Sequence, residues 1–426
     1  LLYSFSLLGR SVDALLFISM LASVEVFAAL IVLHAVIFHS SLLPLSEAHD
    51  ASYFVPSSNP NPKRGSWSTV RGPITNHFEE WLNQNGYGSD DFAQRFFFEF
   101  GSYGGKRNES HQLTRTPIIF YHGNEDGALA IPGNFTSGST SQIEYFLSVG
   151  YTSAELYVTT WGTRDSSLSM TNDHNCSMMQ RMRRFTIAIM EYTQSRWVNL
   201  ISHSMGVTIA RKIVKGGRIE EDEGGTCDLG EPLTDRVGVF VGITGANYGM
   251  CACQGLSQTD KTCSPMNGFW PGDSCGSNEW KCFSTNLDLP CKQENYSSLL
   301  WDMNHDGIRE GQLVYSLWTV DDLILNRAIA WGRPTSFIPG SEAFVFQKLT
   351  HMQTKENTTE QQHELLKPFE VYLKSEILQA ELKSGHLSNL LLGILIITLI
   401  SLSLFSIKLC CDRAKFPRKE DYEELL

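Results

Sequence analysis

Short apolar runs alternate with amphipathic segments through the middle of the chain. Four runs bounded by turn residues have the length and composition of buried strands: 118–121, 156–161, 198–201 and 237–243. A fifth run spans 313–318, and a weaker sixth spans 344–346. Between these runs, apolar residues recur at helical spacing in three segments: 140–147, 178–192 and 207–213. This alternation predicts an α/β fold, with a mostly parallel sheet and helices on both of its faces.

The flanking and interrupting segments have other patterns. Residues 50–72 are rich in Ser, Asn and Pro, as in a linker or extended arm, and 75–82 have the pattern of a short amphipathic helix. Residues 92–103 are strongly aromatic, and we expect these rings to pack in the core. Residues 245–301 lack periodicity and hold most of the cysteines. We interpret them as an insertion, either a lid or a surface loop.

Two long apolar segments predict targeting and anchoring. Residues 26–38 have the length of a signal-peptide core, and Ala48 offers a cleavage site. A positively charged region beside that core is missing, so a signal anchor is the alternative. Residues 387–407 carry no charge and are followed at once by Lys and Arg. That pattern predicts a single C-terminal transmembrane helix with its following side in the cytoplasm.

These boundaries divide the chain into five parts. They are a signal peptide or anchor at 1–48, an N-terminal arm and helix at 49–115, and the α/β domain at 116–384 with its insertion at 245–301. The transmembrane helix at 387–407 and a cytoplasmic tail at 408–426 complete the chain. The expected topology is a type I membrane protein with a lumenal or extracellular body, at the cell surface or in endolysosomes. The tail ends in residues 421–426, which resemble sorting signals bound by adaptors.

The cysteines and glycosylation motifs indicate an oxidising compartment. Eight cysteines of the body are disulfide candidates: Cys176, Cys227, Cys251, Cys253, Cys263, Cys275, Cys282 and Cys291. Five Asn-X-Ser/Thr motifs predict N-glycosylation at Asn108, Asn134, Asn175, Asn295 and Asn357. None of the five lies beyond the apolar segment at 387–407. Cys410 and Cys411, which follow that segment, are candidates for palmitoylation.

Charge and motif spacing argue against nucleic acid, calcium and zinc as ligands. The formal net charge is -12 and the body has no long basic run, which argues against a nucleic-acid partner. An aromatic content of 11% and a charged fraction of 19% are sufficient for a substantial core. Residues 302–307 begin like a calcium-binding loop, but Leu313 stands where a bidentate Glu is needed. No pair of cysteines has zinc-ligand spacing, so we expect no metal.

One candidate nucleophile stands between a predicted strand and a predicted helix. The strand at 198–201 runs into Ser202-His-Ser-Met-Gly206, and the helical pattern begins at once after it. A serine on such a sharp turn, with small residues two places before and after it, has the arrangement of a nucleophile elbow. Gly206 fits this arrangement, and Ser202 replaces the usual glycine. The alternative is a purely structural role, in which Ser204 is the N-cap of the helix.

Chain order supplies the partners that an active serine needs. A serine hydroxyl becomes a good nucleophile when a histidine takes its proton and a carboxylate orients that histidine. Asp321 and Asp322 follow the strand at 313–318, and His351 follows the strand at 344–346. The order Ser, Asp, His is that of α/β-hydrolases. His363 lies in an amphipathic helical pattern, and we assign it to the surface.

Two backbone N–H groups are candidates for stabilising an oxyanion. The residue after a nucleophilic serine supplies one of them, here Met205. The second comes from the loop after an early strand, where His122-Gly-Asn124 follows the run at 118–121. We therefore assign the second donor to the backbone of Asn124.

Four segments together resemble the class 2 triacylglycerol lipase family, and the chain is similar to its longer, cysteine-rich animal branch. They are Thr-Pro-Ile-Ile-Phe-Tyr-His-Gly (116–123), Ala-Glu-Leu-Tyr-Val-Thr-Thr-Trp (154–161), Ile-Ser-His-Ser-Met-Gly (201–206) and Ser-Leu-Trp-Thr-Val-Asp-Asp-Leu-Ile (316–324). The family elbow commonly reads Ala-His-Ser-Met-Gly, so Ser202 is a small departure. The family acid precedes an apolar pair, which selects Asp322 over Asp321.

The resemblance implies hydrolysis of lipid acyl esters such as acylglycerols by Ser204, Asp322 and His351, without a metal or an organic cofactor. Two alternatives stay open. A phospholipase or an acyltransferase would use the same triad with a different head group or acceptor. A catalytically silent hydrolase fold would serve in binding.

Overall fold

A computed structural model of the chain describes residues 53–54, 68–134, 136–222, 224–276, 294–325, 329–383 and 386–414. The predicted signal segment at 1–48, Cys282, Cys291 and the end of the tail lie outside the described residues. The side chains of Cys410 and Cys411 lie outside them too.

An eight-stranded sheet forms the centre of the described part of the chain. Its strands, in chain order, are β1 (Tyr53–Phe54), β2 (Ser102–Tyr103), β3 (Ile118–Tyr121), β4 (Leu156–Thr159), β5 (Val198–His203), β8 (Val237–Ile243), β9 (Leu313–Thr319) and β12 (Glu342–Phe346). The spatial order is β1-β12-β9-β8-β5-β3-β4-β2. Every neighbouring pair is parallel except β2 and β4, which are antiparallel. Two small hairpins lie outside this sheet, β6 (Arg218–Glu220) with β7 (Thr226–Asp228) and β10 (Ile329–Ala330) with β11 (Arg333–Pro334).

Helices connect most of these strands. They are α1 (Asn76–Gln84), α2 (Thr140–Ser148), α3 (Cys176–Thr193), α4 (Met205–Lys215), α5 (Ser298–His305), α6 (His351–Glu356), α7 (Thr359–Lys383) and α8 (His386–Ala414). Short 3-10 turns lie at Gly88–Asp90, Arg95–Phe100, Ser166–Thr171, Thr234–Arg236, Cys251–Cys253 and Lys261–Cys263. The six sheet strands and the three helices predicted between them are all present, with ends that differ by a few residues at most.

The sheet is covered by apolar side chains on both faces. Along β3, Ile119 and Tyr121 belong to a core cluster that includes residues of α1, α3 and α4. Ile118 and Phe120 belong to a second cluster, which includes residues of α2 and α7. Successive side chains of a strand point to opposite faces, so this division means that helices cover both sides of the sheet. The continuous apolar run at 118–121 is the pattern expected of such a strand.

The segment before the alternating body also contributes to the sheet. The arm supplies β1 and β2 at the two edges, and α1 begins after Thr75, whose hydroxyl accepts a hydrogen bond from the Phe78 N–H. The aromatic run divides. Phe92 is buried, as expected, but Phe96 and Phe98 are 83% and 77% exposed. The core-packing prediction was wrong for these two because their segment forms kinked 3-10 turns at the surface.

Three disulfides cross-link the described part of the chain, and the sequence could not predict their pairing. Cys176–Cys227 joins the start of α3 to β7. Cys251–Cys275 and Cys253–Cys263 lie within the insertion. Of the glycosylation candidates, Asn108, Asn134 and Asn295 are exposed, while Asn175 and Asn357 are half-buried. Glycosylation at these positions stays a prediction.

The predicted transmembrane helix at 387–407 is not supported. Within the residues that the structure describes, no helix is both long enough and apolar enough to cross a bilayer.

Candidate active site

Ser204 occupies the turn between β5 and α4, where its backbone is strained. Its φ and ψ are 54° and -128°, an arrangement that non-glycine residues seldom adopt. The Ser204 N–H donates to the carbonyl oxygen of Ile243 at 2.8 Å, which ties the turn to the end of β8. A strained residue persists only where its surroundings fix it, and such residues concentrate at functional sites. The turn places Ser204 at the C-terminal end of β5, on the side of the sheet where the parallel strands end.

The residue two places after Ser204 must be glycine because α4 begins close to β3. A Cβ atom on Gly206 would lie 2.4 Å from the His122 carbonyl oxygen and 2.5 Å from that of Tyr121. Ser202 is buried, and its hydroxyl donates to the Val241 carbonyl oxygen at 3.1 Å. That hydrogen bond satisfies the polar group, so a serine is accommodated where the family usually has another small residue.

Asp322 and His351 form a buried hydrogen-bonded pair. The Nδ1 atom of His351 lies 2.7 Å from Oδ2 of Asp322, and the two side chains are 4% and 0% exposed. The other carboxylate oxygen, Oδ1, accepts the N–H groups of Ile324 and Leu325, each at 3.0 Å. Both oxygens of the buried carboxylate therefore have partners, and one of them orients the imidazole.

Asp321, the neighbouring carboxylate, is directed elsewhere. Its Oδ2 accepts the Lys348 N–H at 2.6 Å, and the residue is exposed. Asp321 thus holds the loop that precedes α6, while Asp322 contacts the histidine. This is the assignment that the apolar pair Leu323-Ile324 implies.

His351 is the first residue of α6, and its position is fixed from two sides. The Thr350 hydroxyl and the Gln353 side chain form a reciprocal capping box at the start of the helix. The ring of His203 lies 4.8 Å from the His351 ring between centroids, and His203 donates its Nε2–H to the His351 carbonyl oxygen at 3.2 Å. Burial holds the pKa of His203 well below its usual value, so this imidazole is neutral.

The loop after β3 lies directly against the nucleophile candidate. A Cβ atom on Gly123 would lie 2.8 Å from the Cβ of Ser204 and 3.4 Å from its Oγ. Asn124 follows, and its backbone N–H donates to no acceptor among the described residues. The Met205 N–H opens α4, a position that has no intrahelical acceptor. Among the described residues, both predicted oxyanion donors therefore lack a hydrogen-bond acceptor.

His122 fixes the start of this loop. Its Nε2 accepts the Trp161 N–H at 3.0 Å, which leaves the proton on Nδ1, where it is donated to the Gly123 carbonyl oxygen at 2.8 Å. The Trp161 ring stacks on the imidazole with centroids 5.0 Å apart. Burial lowers the pKa of His122 to about 4, so the ring stays neutral in this network.

A buried ion pair joins the same loop to the helix of His351. Lys355 lies one turn after His351 in α6, and its Nζ contacts Asp126 Oδ2 at 3.0 Å. The Asp126 Oδ1 accepts the N–H groups of Gly127 and Gly138, at 2.9 Å and 2.8 Å. The Lys355 charge and these hydrogen bonds hold the pKa of Asp126 well below its usual range, although burial opposes them.

Sequence reasoning missed several of these contributors. Asp126 and Lys355 are buried polar residues outside every motif, and His203 lies within the elbow motif but had no predicted role. The four-residue spacing of His351 and Lys355 places them on one side of a helix, which is the only sequence signal for their association. In the described part of the chain, no cluster of three or more metal-ligating side chains occurs. Asp306, in the rejected calcium loop, pairs with Lys215 at 2.8 Å.

Comparisons with known proteins identify a family model and several similar solved structures. The family model described as class 2 lipase matches residues 115–364. No curated protein matches. Among solved structures, a monoacylglycerol lipase from Paleococcus ferrophilus is 13% identical, with 64% of this chain and 97% of that chain covered and a TM-score of 0.34. A carboxylesterase from Bacillus subtilis is 13% identical, with coverages of 63% and 88% and a TM-score of 0.31.

Proposed function

The chain belongs to the class 2 lipase family and is a carboxylic ester hydrolase, and on that basis we propose that it cleaves acyl esters of lipids, such as acylglycerols, with the triad Ser204, Asp322 and His351. The observation that carries this proposal is the buried hydrogen bond between Asp322 and His351. Asp322, His351 and the strained turn of Ser204 each follow the C-terminal end of a parallel strand.

The proposed reaction follows from the roles of these groups. Ser204 Oγ attacks the ester carbonyl carbon while His351 Nε2 accepts its proton. Asp322 keeps the other imidazole proton on Nδ1 and stabilises the imidazolium that forms. The N–H groups of Met205 and Asn124 donate to the oxyanion of the tetrahedral intermediate. His351 then protonates the leaving alcohol, and water hydrolyses the acyl-enzyme by the same steps in reverse order.

Exposed apolar side chains beside the site support a lipid substrate. Leu323 and Ile324, which directly follow Asp322, are 82% and 53% exposed. Leu168 and Met170 are 40% and 36% exposed and lie on the 3-10 turn that contacts Asn124. Such groups gain free energy when lipid chains cover them, at about 25 cal/mol per Å² of apolar surface removed from water.

The disulfides support a location in an oxidising compartment. Bonds such as Cys176–Cys227 persist in the secretory lumen and outside the cell and are rare in the cytosol. We therefore propose a lumenal or extracellular site of action.

Substrate profiling tests the proposed activity. The full chain is incubated with an emulsified triacylglycerol, a monoacylglycerol, phosphatidylcholine and a short-chain nitrophenyl ester, with the Ser204→Ala variant as control. We expect fatty acid release from the acylglycerols, lost in the variant. Cleavage of phosphatidylcholine alone, or acyl transfer to an added alcohol in excess of hydrolysis, would favour the alternative activities. Absence of turnover with every ester would contradict the proposal.

A further inference from the structure

The side chain of Asn124 is held by a surface turn that follows β4. Its Nδ2 donates to the Ser169 carbonyl oxygen at 2.8 Å. Its Oδ1 accepts from the Asn172 side-chain amide at 2.7 Å and from the Glu125 N–H at 3.0 Å. The side chain is thereby fixed from both ends of its amide, one peptide unit away from the Gly123 carbonyl oxygen that His122 holds.

The backbone of the loop needs such support. Glu125, the residue after Asn124, has a φ of 61°, which lies in the left-handed region that side chains other than glycine seldom occupy. A residue in this region is strained and remains there only where neighbouring contacts hold it. The Glu125 N–H donates to the Asn124 Oδ1 at 3.0 Å, and the contacts of that side chain with the turn at 169–172 hold this acceptor in place.

The turn at 169–172 is itself held by a residue of the cysteine-rich insertion. The hydroxyl of Thr262 lies 2.9 Å from the Ser169 carbonyl oxygen and 2.6 Å from the Asn172 carbonyl oxygen. The hydrogen bond within the turn, from the Asn172 N–H to Ser169, is much longer at 3.5 Å. Thr262 is 1% exposed, so this contact is shielded from water.

Thr262 has a rigid setting inside the insertion. The next residue, Cys263, is buried and joined to Cys253 by a disulfide. The Thr262 carbonyl oxygen accepts the Phe269 N–H at 2.7 Å. A continuous series of bonds therefore runs from the Cys253–Cys263 disulfide through Thr262 and the turn to Asn124.

We propose that Thr262 is a positioning residue, through which the insertion holds the Asn124 N–H in place for the oxyanion. This inference rests on the proposed function, in which that N–H stabilises the transition state. It assigns the part of the insertion around Thr262 a role that neither a lid nor an inert surface loop has. Oxyanion donors act only when they are preorganised, and the loss of one costs about 10²–10³ in kcat.

Thr262→Val tests the inference in the full chain, because it removes the hydroxyl and keeps the shape of the side chain. We expect kcat for a short-chain nitrophenyl ester to fall about tenfold to a hundredfold, less than for complete loss of a donor. KM should stay within about twofold, since an interaction made only in the transition state leaves ground-state binding unchanged. Thr262→Ser, which keeps the hydroxyl, should retain kcat within about threefold.

Asn172→Ala provides a second variant that removes the other contact of the turn with Asn124. It should also lower kcat with little change in KM. The fold-loss of kcat in the double variant with Thr262→Val should be smaller than the product of the two single fold-losses, because both residues act on one network. A double-variant fold-loss equal to that product, or an Asn172→Ala variant with full kcat, would contradict the proposed connection.

Thr335→Val is the matched control. Thr335 is also 1% exposed, and its hydroxyl donates to the Gly249 carbonyl oxygen at 2.7 Å rather than to the turn at 169–172. It should lower the unfolding temperature as Thr262→Val does, with kcat within about twofold. Equal kcat losses in both variants, or none in Thr262→Val, would overturn the inference. Activity that survives Ser204→Ala would instead refute the proposed function, so the two failures are distinguishable.

Discussion

Two adjacent carboxylates differ completely in their surroundings. Asp322 is fully buried and contacts His351, whereas Asp321 is exposed and contacts the backbone of Lys348. Chain order alone left the two equivalent in the sequence, and only the resemblance to a family motif separated them. The structural difference follows from the turn after β9, which directs one side chain inward and the other outward.

Asp322→Asn should therefore lower kcat by about 10⁴-fold, because an amide no longer fixes the imidazole tautomer or stabilises the imidazolium. Asp321→Asn is the control and should keep kcat within about threefold. Steady-state hydrolysis of a soluble ester measures both effects. Equal losses in the two variants would contradict the assignment.

The ion pair of Asp126 and Lys355 predicts a stability effect. Lys355→Met leaves the Asp126 carboxylate buried without its counter-charge, which should lower the free energy of unfolding by about 3–5 kcal/mol. Adding Asp126→Asn removes that charge yet keeps an oxygen for the two backbone donors, so the double variant should recover much of the loss. Urea unfolding measures each free energy. A double variant no more stable than Lys355→Met would show that the unpaired charge is not the cause.

At the scale of elements, the strand, turn and helix around Ser204 depend on the close approach of α4 to β3. The apolar run and the helical spacing predicted both elements, and Ser202 and Gly206 indicated the tight turn between them. The sequence indicated the loop of His122 but not its supporting residues, because Asp126 and Lys355 come from distant positions and act through contacts that only the folded chain forms.

Gly206→Ala should displace the start of α4 from β3, since its Cβ would meet two carbonyl oxygens at 2.4 Å and 2.5 Å. We expect at least a tenfold loss of kcat/KM and a lower unfolding temperature. Ser202→Gly is the control, because glycine fits the same space and should keep kcat/KM within about threefold. A Gly206→Ala variant with normal kinetics would contradict the close approach.

The edges of the sheet and the insertion were the least predictable elements. Strands β1 and β2 have two residues each, too few for a periodic pattern. The insertion has no periodicity because its disulfides and hydrogen bonds, rather than a repeating apolar face, fix its shape. The pairing of Cys253 with Cys263 is a property of that shape, so cysteine spacing left it open.

In the described part of the chain, three histidines whose pKa is lowered by burial predict a loss of stability in acid. Burial lowers the pKa of His122 and of His174 to about 4, and it holds the pKa of His203 well below the usual value. Since the unfolded chain takes up these protons near pH 6.5, it binds more protons than the folded chain as the pH falls below that value. The stabilisation is complete above about pH 6.5 and is lost towards pH 4.

The free energy of unfolding should accordingly decrease from pH 6.5 to pH 4, by up to about 1.4 kcal/mol per pH unit for each histidine. Urea unfolding at a series of pH values measures this slope. His174→Gln should reduce this slope by the contribution of one histidine, up to about 1.4 kcal/mol per pH unit. A stability that stays constant over this range would contradict the burial of neutral histidines.

Ser204 is proposed as an activated nucleophile, and labelling with a fluorophosphonate probe tests that role. The full chain is treated with the probe, and the modified peptide is identified by mass spectrometry. We expect a single modification at Ser204. The Ser204→Ala variant should not be labelled, and Asp322→Asn should be labelled much more slowly. A correctly folded protein that is not labelled, or that is labelled at another serine, would contradict the account.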